Sequence, residues 1–232
     1  MSSRAAVRRG PGDVVTCRKV SRPTHRRVPT VEDMTTSTTT DVLATYGRLA
    51  DAFGSVVDRV PTDRWGSPSP CEGWSARDVV AHVVTSQRGF LAQRGVDATT
   101  SHQFDVDEPT ENEADPRVAW HAHDDRMREL LADPAVAGLE YDGAFGRTTV
   151  GRTVVAFHGF DLVVHRWDVA VAAGLDERLT DDELDMLERS ADGFGDHLYD
   201  DGVCQPALPV PEDADRQERL LARLGRRTPA KG

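Results

Sequence analysis

The stretch Phe157-His-Gly-Phe-Asp-Leu-Val-Val-His-Arg-Trp-Asp168 decides the fold class. It lies in the most apolar part of the chain, Val154 to Val171, yet carries His158, Asp161, His165, Arg166 and Asp168. A membrane span needs about 18 or more consecutive apolar residues, so this is a helix of a soluble core. At about 100° per residue, with His158 as zero, Asp161 falls at about −60° and His165 at about −20°; Val154, Leu162 and Val169 lie within about 40°. Three polar groups therefore share the apolar face of a helix spanning about Arg152 to Ala173, which Gly174 ends.

Outward from this helix, the periodicity predicts further helices. Val42, Tyr46, Leu49, Phe53, Val56, Val57 and Val60 follow helical spacing from Asp41 until Pro61 stops them. Ser75-Ala-Arg-Asp78 has the form of a capping box and opens a second helix to about Ala92. After an acidic loop, Asp105 to Asp115, Pro116 starts a third helix over about Arg117 to Leu131. Short alternating segments around Gly143 and Gly146, between Leu139 and Val150, predict a small hairpin. Thr180-x-x-Glu183 opens a helix to about Tyr199, and Pro206, Pro209 and Pro211 precede a short amphipathic helix near Asp215 to Leu224. The expected architecture is all-α, a helical bundle with a C-terminal appendage.

Composition agrees with a folded core: 38% of the 232 residues are hydrophobic, before counting 19 Gly. A net charge of −11 repels phosphate backbones, so nucleic acid is not expected as a partner of the core domain. Arg4, Arg8, Arg9, Arg18, Lys19, Arg22, Arg26 and Arg27 make the N-terminus basic. Residues 1–35 read as a disordered basic tail, or as an extension upstream of a start at Met34, and residues 36–232 as the helical domain. Cys17, Cys71 and Cys204 form no C-x-x-C pair, which fits a reducing cytoplasm and no membrane association.

On the second helix His82 shares a sector with Val79 and Phe90, away from Arg77 and Arg88, and should point inward. His82, with Asp161 and His165 at i, i+4, would bring two imidazoles and a carboxylate together inside a bundle: three ligands and an open fourth position. Zn²⁺ suits that set, as do Fe²⁺ and Ni²⁺. The plainer readings are an internal Asp161–His165 pair and a hydrogen-bonded core His82. His158 reads as a fourth ligand, an outer-layer group or core, and Asp78 as a helix cap within a turn of His82. Asp168 either orients an imidazole or is solvated. Cys71, just before a helix N-terminus, is either a thiol of depressed pKa or loop packing. His121 and His123 read as surface residues.

Arg64-Trp-x5-Cys71-Glu-Gly-Trp-Ser-Ala-Arg-Asp-Val-Val-Ala-His82 is similar to the segment around the first metal histidine in the mycothiol-dependent maleylpyruvate isomerase, metal-binding (DinB-like) family of actinobacteria. Asp161-Leu-Val-Val-His165-Arg-Trp-Asp168 resembles its second metal motif, and Pro209 to Arg226 its closing segment, so that the likeness runs from about Thr40 to Arg227. It implies a DinB-like four-helix bundle with a short hairpin before the last metal-binding helix and a small C-terminal helical appendage. It also implies a divalent metal, commonly zinc, on His82, Asp161 and His165, with Asp161 standing where the isomerase itself has Glu. The implied activity is a transferase or isomerase reaction using mycothiol, a low-molecular-weight thiol, and an electrophilic substrate. The rival readings are a non-catalytic metal-dependent binding or regulatory module and a metal-free structural bundle.

Overall fold

A computed structural model describes residues 39–101, 115–200 and 202–228. The basic tail and its boundary at residue 36 lie outside these residues, as does the acidic loop before Asp115.

Four long helices form the core: α1 (Thr39–Arg59), α2 (Ala76–Ala92), α3 (Pro116–Ala132) and α6 (Gly159–Ala173). α1 packs on α3 and α6, and α2 packs on the same two, which closes a four-helix bundle. Between α3 and α6 come a single turn α4 (Pro134–Ala137), the hairpin β1 (Glu140–Gly143) and β2 (Gly146–Thr149), and the short α5 (Val150–Thr153). The all-α architecture, the hairpin and the C-terminal appendage are therefore as the sequence predicts.

The apolar stripe of α1 supplies Tyr46, Leu49 and Phe53, which are buried in one core cluster with Trp120, Met127 and Leu131 of α3 and Leu162 of α6. Phe53 and Trp120 rings meet at 4.5 Å. Gly159 permits the close crossing of α1 and α6, because a Cβ there would come within 2.9 Å of Leu49 Cδ1. A larger residue there would force the Leu49 side chain to shift.

Local chemistry fixes the ends. Ser75 and Asp78 form the predicted box: Ser75 N donates to Asp78 Oδ2 at 2.8 Å, and Asp78 N donates to Ser75 Oγ at 3.3 Å. The cap accounts for Asp78 without a metal. Thr180 and Glu183 cap α7 (Asp181–Phe194) in the same way, and Glu183 also takes a buried two-pronged bond from Arg166 at 2.7 and 2.9 Å. That pair ties α7 to α6. α8 (Arg216–Arg223) then packs on α7, with Arg216 donating to Asp185 and Glu188.

Three local differences from the sequence reading stand out. Helix begins at Val150, earlier than Arg152, because Thr149 Oγ1 accepts from Arg152 N and caps α5. Val154–His158 then forms a π turn, whose extra residue rotates everything before His158 relative to α6. α7 stops at Phe194, where Gly195 takes φ +55° and the chain continues as a 3-10 turn to Tyr199. Among the described residues, no helix is long and apolar enough to cross a membrane.

Candidate metal centre

The loop before α2 is shaped by its glycine. Trp74 N donates to Cys71 O at 3.1 Å, closing a turn whose third residue, Gly73, has φ +81°. Ser69 N–Trp74 O and Ala76 N–Ser67 O bonds pin the loop to the start of α2. The result sets Trp74 on the His82 ring, with centroids 4.7 Å apart, and turns the Cys71 thiol toward α6.

Across the bundle, α6 presents His165. Its ring stands edge-on to His82 at 5.1 Å between centroids, so the two predicted imidazoles are brought together. His165 Nδ1 lies 3.0 Å from Asp168 Oδ2. Its partner is thus Asp168, and the internal Asp161–His165 pair is not formed. Asp168 is fully buried, which removes the solvated alternative. A carboxylate only accepts, so Nδ1 is the donor of this pair and Nε2 is the ring nitrogen left to face a metal, the arrangement metal-binding histidines commonly use.

Asp168 Oδ2 also accepts from Cys71 Sγ at 3.2 Å and from Arg226 Nη2 at 3.3 Å. Burial works to raise the Asp168 pKa, but Arg226 and the His165 and Cys71 bonds outweigh it and hold the carboxyl below its usual range. Burial, followed by the Asp168 charge, pushes the Cys71 thiol up to about 12. Cys71 is therefore a protonated donor, neither an activated nucleophile nor inert loop packing.

Sequence reasoning missed Arg226. Gly225, at φ +77°, ends the last helix and turns the chain back, so Arg226 N donates to Leu221 O. The guanidinium then enters the core, with Nη1 on Leu224 O at 2.7 Å and Nη2 3.4 Å from Cys71 Sγ. The signal was the glycine that stops the helix, followed directly by a charged residue.

Cys71, His165 and Asp168 form a group, among the described residues, whose metal-type donor atoms all lie within 4.8 Å of one another. Arg226 argues against a metal there: a fixed cation already sits 3.3–3.4 Å from two of the three donors. A divalent ion would meet that charge at close range.

The donors on the other side are differently placed. Neither the His82 ring nor the Asp161 carboxylate makes a hydrogen bond among the described residues. Burial, then the neighbouring His165, pulls the His82 pKa down to about 4, so its imidazole is neutral at pH 7 with a lone pair to give. Asp161, half-buried one turn before His165, acts electrostatically on both His82 and His158, favouring their protonated forms. His82, Asp161 and His165 are donor types that a divalent cation takes, but among the described residues their ligand atoms do not all lie within 4.8 Å of one another as those of Cys71, His165 and Asp168 do. His158 is buried edge-on to Phe90 at 5.0 Å, and its Nδ1 has no partner.

The family model of the mycothiol maleylpyruvate isomerase N-terminal domain matches residues 46–170, more than half of the chain. The chain belongs to that family. The matched span of the mycothiol maleylpyruvate isomerase N-terminal domain includes His82, Asp161, His165, Cys71 and Asp168, and ends before Arg226. Two proteins of Mycobacterium tuberculosis described as uncharacterized, from strains CDC 1551 / Oshkosh and ATCC 25618 / H37Rv, are each 28% identical over 193 residues. The alignment covers 80% of this chain and 98% of each relative. No solved structure matches it.

Of the remaining predicted positions, His121 is exposed and pairs with Asp58 at 2.8 Å. His123 corrects the surface reading: it is fully buried, with Nε2 3.1 Å from Gln87 Oε1 and its pKa driven down to about 3, chiefly by burial.

Proposed function

We propose that this chain is a divalent-metal protein, with zinc best suited to the donor set, in which His82, Asp161 and His165 hold the ion. Its open fourth position takes a low-molecular-weight thiol, mycothiol by family, for transfer to, or isomerisation of, an electrophilic substrate. The observation that carries this reading is the division of labour at His165: Nδ1 is anchored on buried Asp168 at 3.0 Å, while the His82 ring stands 5.1 Å away with no hydrogen bond among the described residues.

A divalent ion in this site would favour thiolate over thiol at neutral pH. The chain's own residues supply orientation and proton handling. Asp168 and Arg226 fix the His165 ring, and Trp74 covers one side of His82. Asp168, charged and accepting three donors, is a positioning residue and a poor proton carrier. His158, within electrostatic reach of Asp161 and His82, is the candidate to take the thiol proton and return it to the substrate after the carbon–sulfur bond forms, a role its burial works against by lowering its pKa.

Two histidines and one carboxylate leave a divalent ion with net positive charge, which favours an anionic sulfur as the outside ligand. A cobalt-substituted sample should therefore develop a sulfur-to-metal charge-transfer band when mycothiol is added, and Asp161→Ala should abolish it. Metal present with no thiol-dependent band would defeat the enzyme reading and leave a metal-dependent binding module.

A further inference from the structure

The loop before α2 and the middle of α6 bring Cys71, His165 and Asp168 into a tight triangle. Cys71 Sγ lies 3.2 Å from Asp168 Oδ2 and 4.0 Å from His165 Nδ1, and that nitrogen lies 3.0 Å from the same oxygen. A tetrahedral ion with bonds of about 2.0–2.3 Å holds such donors about 3.3–3.5 Å apart. Shifts of about half an ångström would therefore let the triangle bind one. Asp168 is fully buried, and its second oxygen, Oδ1, has no hydrogen-bond partner among the described residues. Buried polar atoms are nearly always bonded, so an idle carboxylate oxygen beside a thiol and an imidazole suits a cation.

The protein brings a cation of its own to this place. Arg226 reaches in from the C-terminal arm, with Nη2 3.4 Å from Cys71 Sγ and 3.3 Å from Asp168 Oδ2. The exchange of this guanidinium for a metal balances in charge. A divalent ion that enters as Arg226 leaves and the Cys71 proton passes to solvent brings the same two positive charges that depart. What remains around the ion is a thiolate, a carboxylate and a neutral imidazole, a donor set that zinc takes.

His165 serves one side at a time. A neutral imidazole has a single lone pair, so Nδ1 bonded to an ion in the triangle leaves the ring proton on Nε2. An ion here and an ion held through Nε2 exclude one another.

We infer that Arg226 is a plug: while the C-terminal arm is seated, its guanidinium closes a second metal site made by Cys71, His165 and Asp168, and its withdrawal opens that site to a divalent ion of zinc type. The second site uses neither His82 nor Asp161, and it stands whether or not they bind an ion.

The test is a cobalt(II) titration of the full chain with no thiol added, read as a sulfur-to-cobalt charge-transfer band. Arg226→Met removes the cation and should produce the band, with cobalt bound about tenfold or more tightly than in wild type at this site. Adding Cys71→Ser should abolish the band, and adding His82→Ala should leave it. Circular dichroism checks the fold. If Arg226→Met does not fold, Gly225→Ala withdraws the same residue through the backbone, since at φ +77° its Cβ would meet Gln205 O at 2.7 Å, and the same band is expected. A wild-type band as strong at the same cobalt concentration would show that Arg226 closes nothing. No band in a folded variant, or a band that survives Cys71→Ser, would show that the three donors are not a metal site. A band lost with His82→Ala would place the thiolate on the other ion. Each of these results overturns the inference. Wild type that binds no cobalt, with the band intact in the variant, would keep the plug and defeat only the function proposed above.

Discussion

Asp168→Asn tests the anchoring network most directly, because it keeps the shape of the side chain and removes its charge. Asp168 is fully buried and takes three donors on one oxygen, at 3.0 Å from His165, 3.2 Å from Cys71 and 3.3 Å from Arg226. In the variant the Arg226 guanidinium stays inside the protein facing two thiols and one carbonyl, with no counter-charge at bonding distance. Removing one partner of a buried ion pair costs about 3–5 kcal/mol. At about 2–4 °C per kcal/mol for a domain of this size, the melting temperature should fall by about 6–20 °C.

The pH dependence carries the same sign. A carboxyl held below its usual range in the folded state contributes stability that is complete above its unfolded pKa, about 4, and is lost as pH falls through the folded value. Wild type and Asp168→Asn should therefore differ fully at pH 7 and converge only below about pH 4. Replacing the charged acceptor of Nδ1 by a neutral amide oxygen should also weaken zinc binding about 10–100-fold, read by competition with a chromogenic chelator. A melting temperature within about 2 °C of wild type, with zinc affinity unchanged, would refute the network as an anchor.

His82→Ala and His165→Ala should each lose most zinc by elemental analysis, whereas Cys71→Ser should retain it; loss in Cys71→Ser would move the ion to the Cys71–His165–Asp168 group. Chelation should lower the melting temperature of wild type but hardly that of His165→Ala, since an ion bound only to the folded form stabilises it by mass action. His82, with its folded pKa near 4 through burial and the neighbouring His165, contributes stability that is full above its unfolded value of about 6.5. Zinc-free protein should lose that part as pH falls from about 6.5 toward 4, and His82→Gln should flatten the curve; coincident curves would show that His82 is not held neutral.

The bundle was legible because its signals are local: the α1 stripe, the Ser75 and Thr180 boxes, Pro116 and the hairpin glycines each report on a few neighbouring residues. The inward turn of His82 was legible for the same reason. The π turn at Val154–His158 was not, since no residue in it forbids an ordinary helix. Asp168 falls on the shoulder of the buried face, where helical angles alone allow either a buried or a solvated side chain. What decides the matter is Arg226, 58 residues on, together with Cys71, 97 residues before it. His123 flanks no carboxylate at a useful spacing, and that pattern alone says nothing of its burial. Its own helix held the answer, for Trp120 and Met127, three residues before and four after, are both fully buried.

One substitution separates a metal protein from a metal-free bundle that merely packs its histidines. Arg226 neutralises Asp168, so the carboxylate left uncompensated around His165 is Asp161, half-buried beside His82 and His158 and without a hydrogen bond among the described residues. The Asp161 carboxylate makes no hydrogen bond or ion pair among the described residues, so the zinc-free fold draws no contact from it that Asn would lose. In a structural bundle such a residue would still have to stabilise the fold through contacts, and Asp161→Asn would lower the melting temperature whether zinc was present or not. In a metal site the ranking reverses with the ion: zinc-free Asp161→Asn should melt at or above wild type, and zinc-loaded wild type should melt well above the variant. Calorimetry on both proteins in both states reads this crossing. Parallel losses in the two states would assign Asp161 to the core and remove the carboxylate from the proposed ligand set.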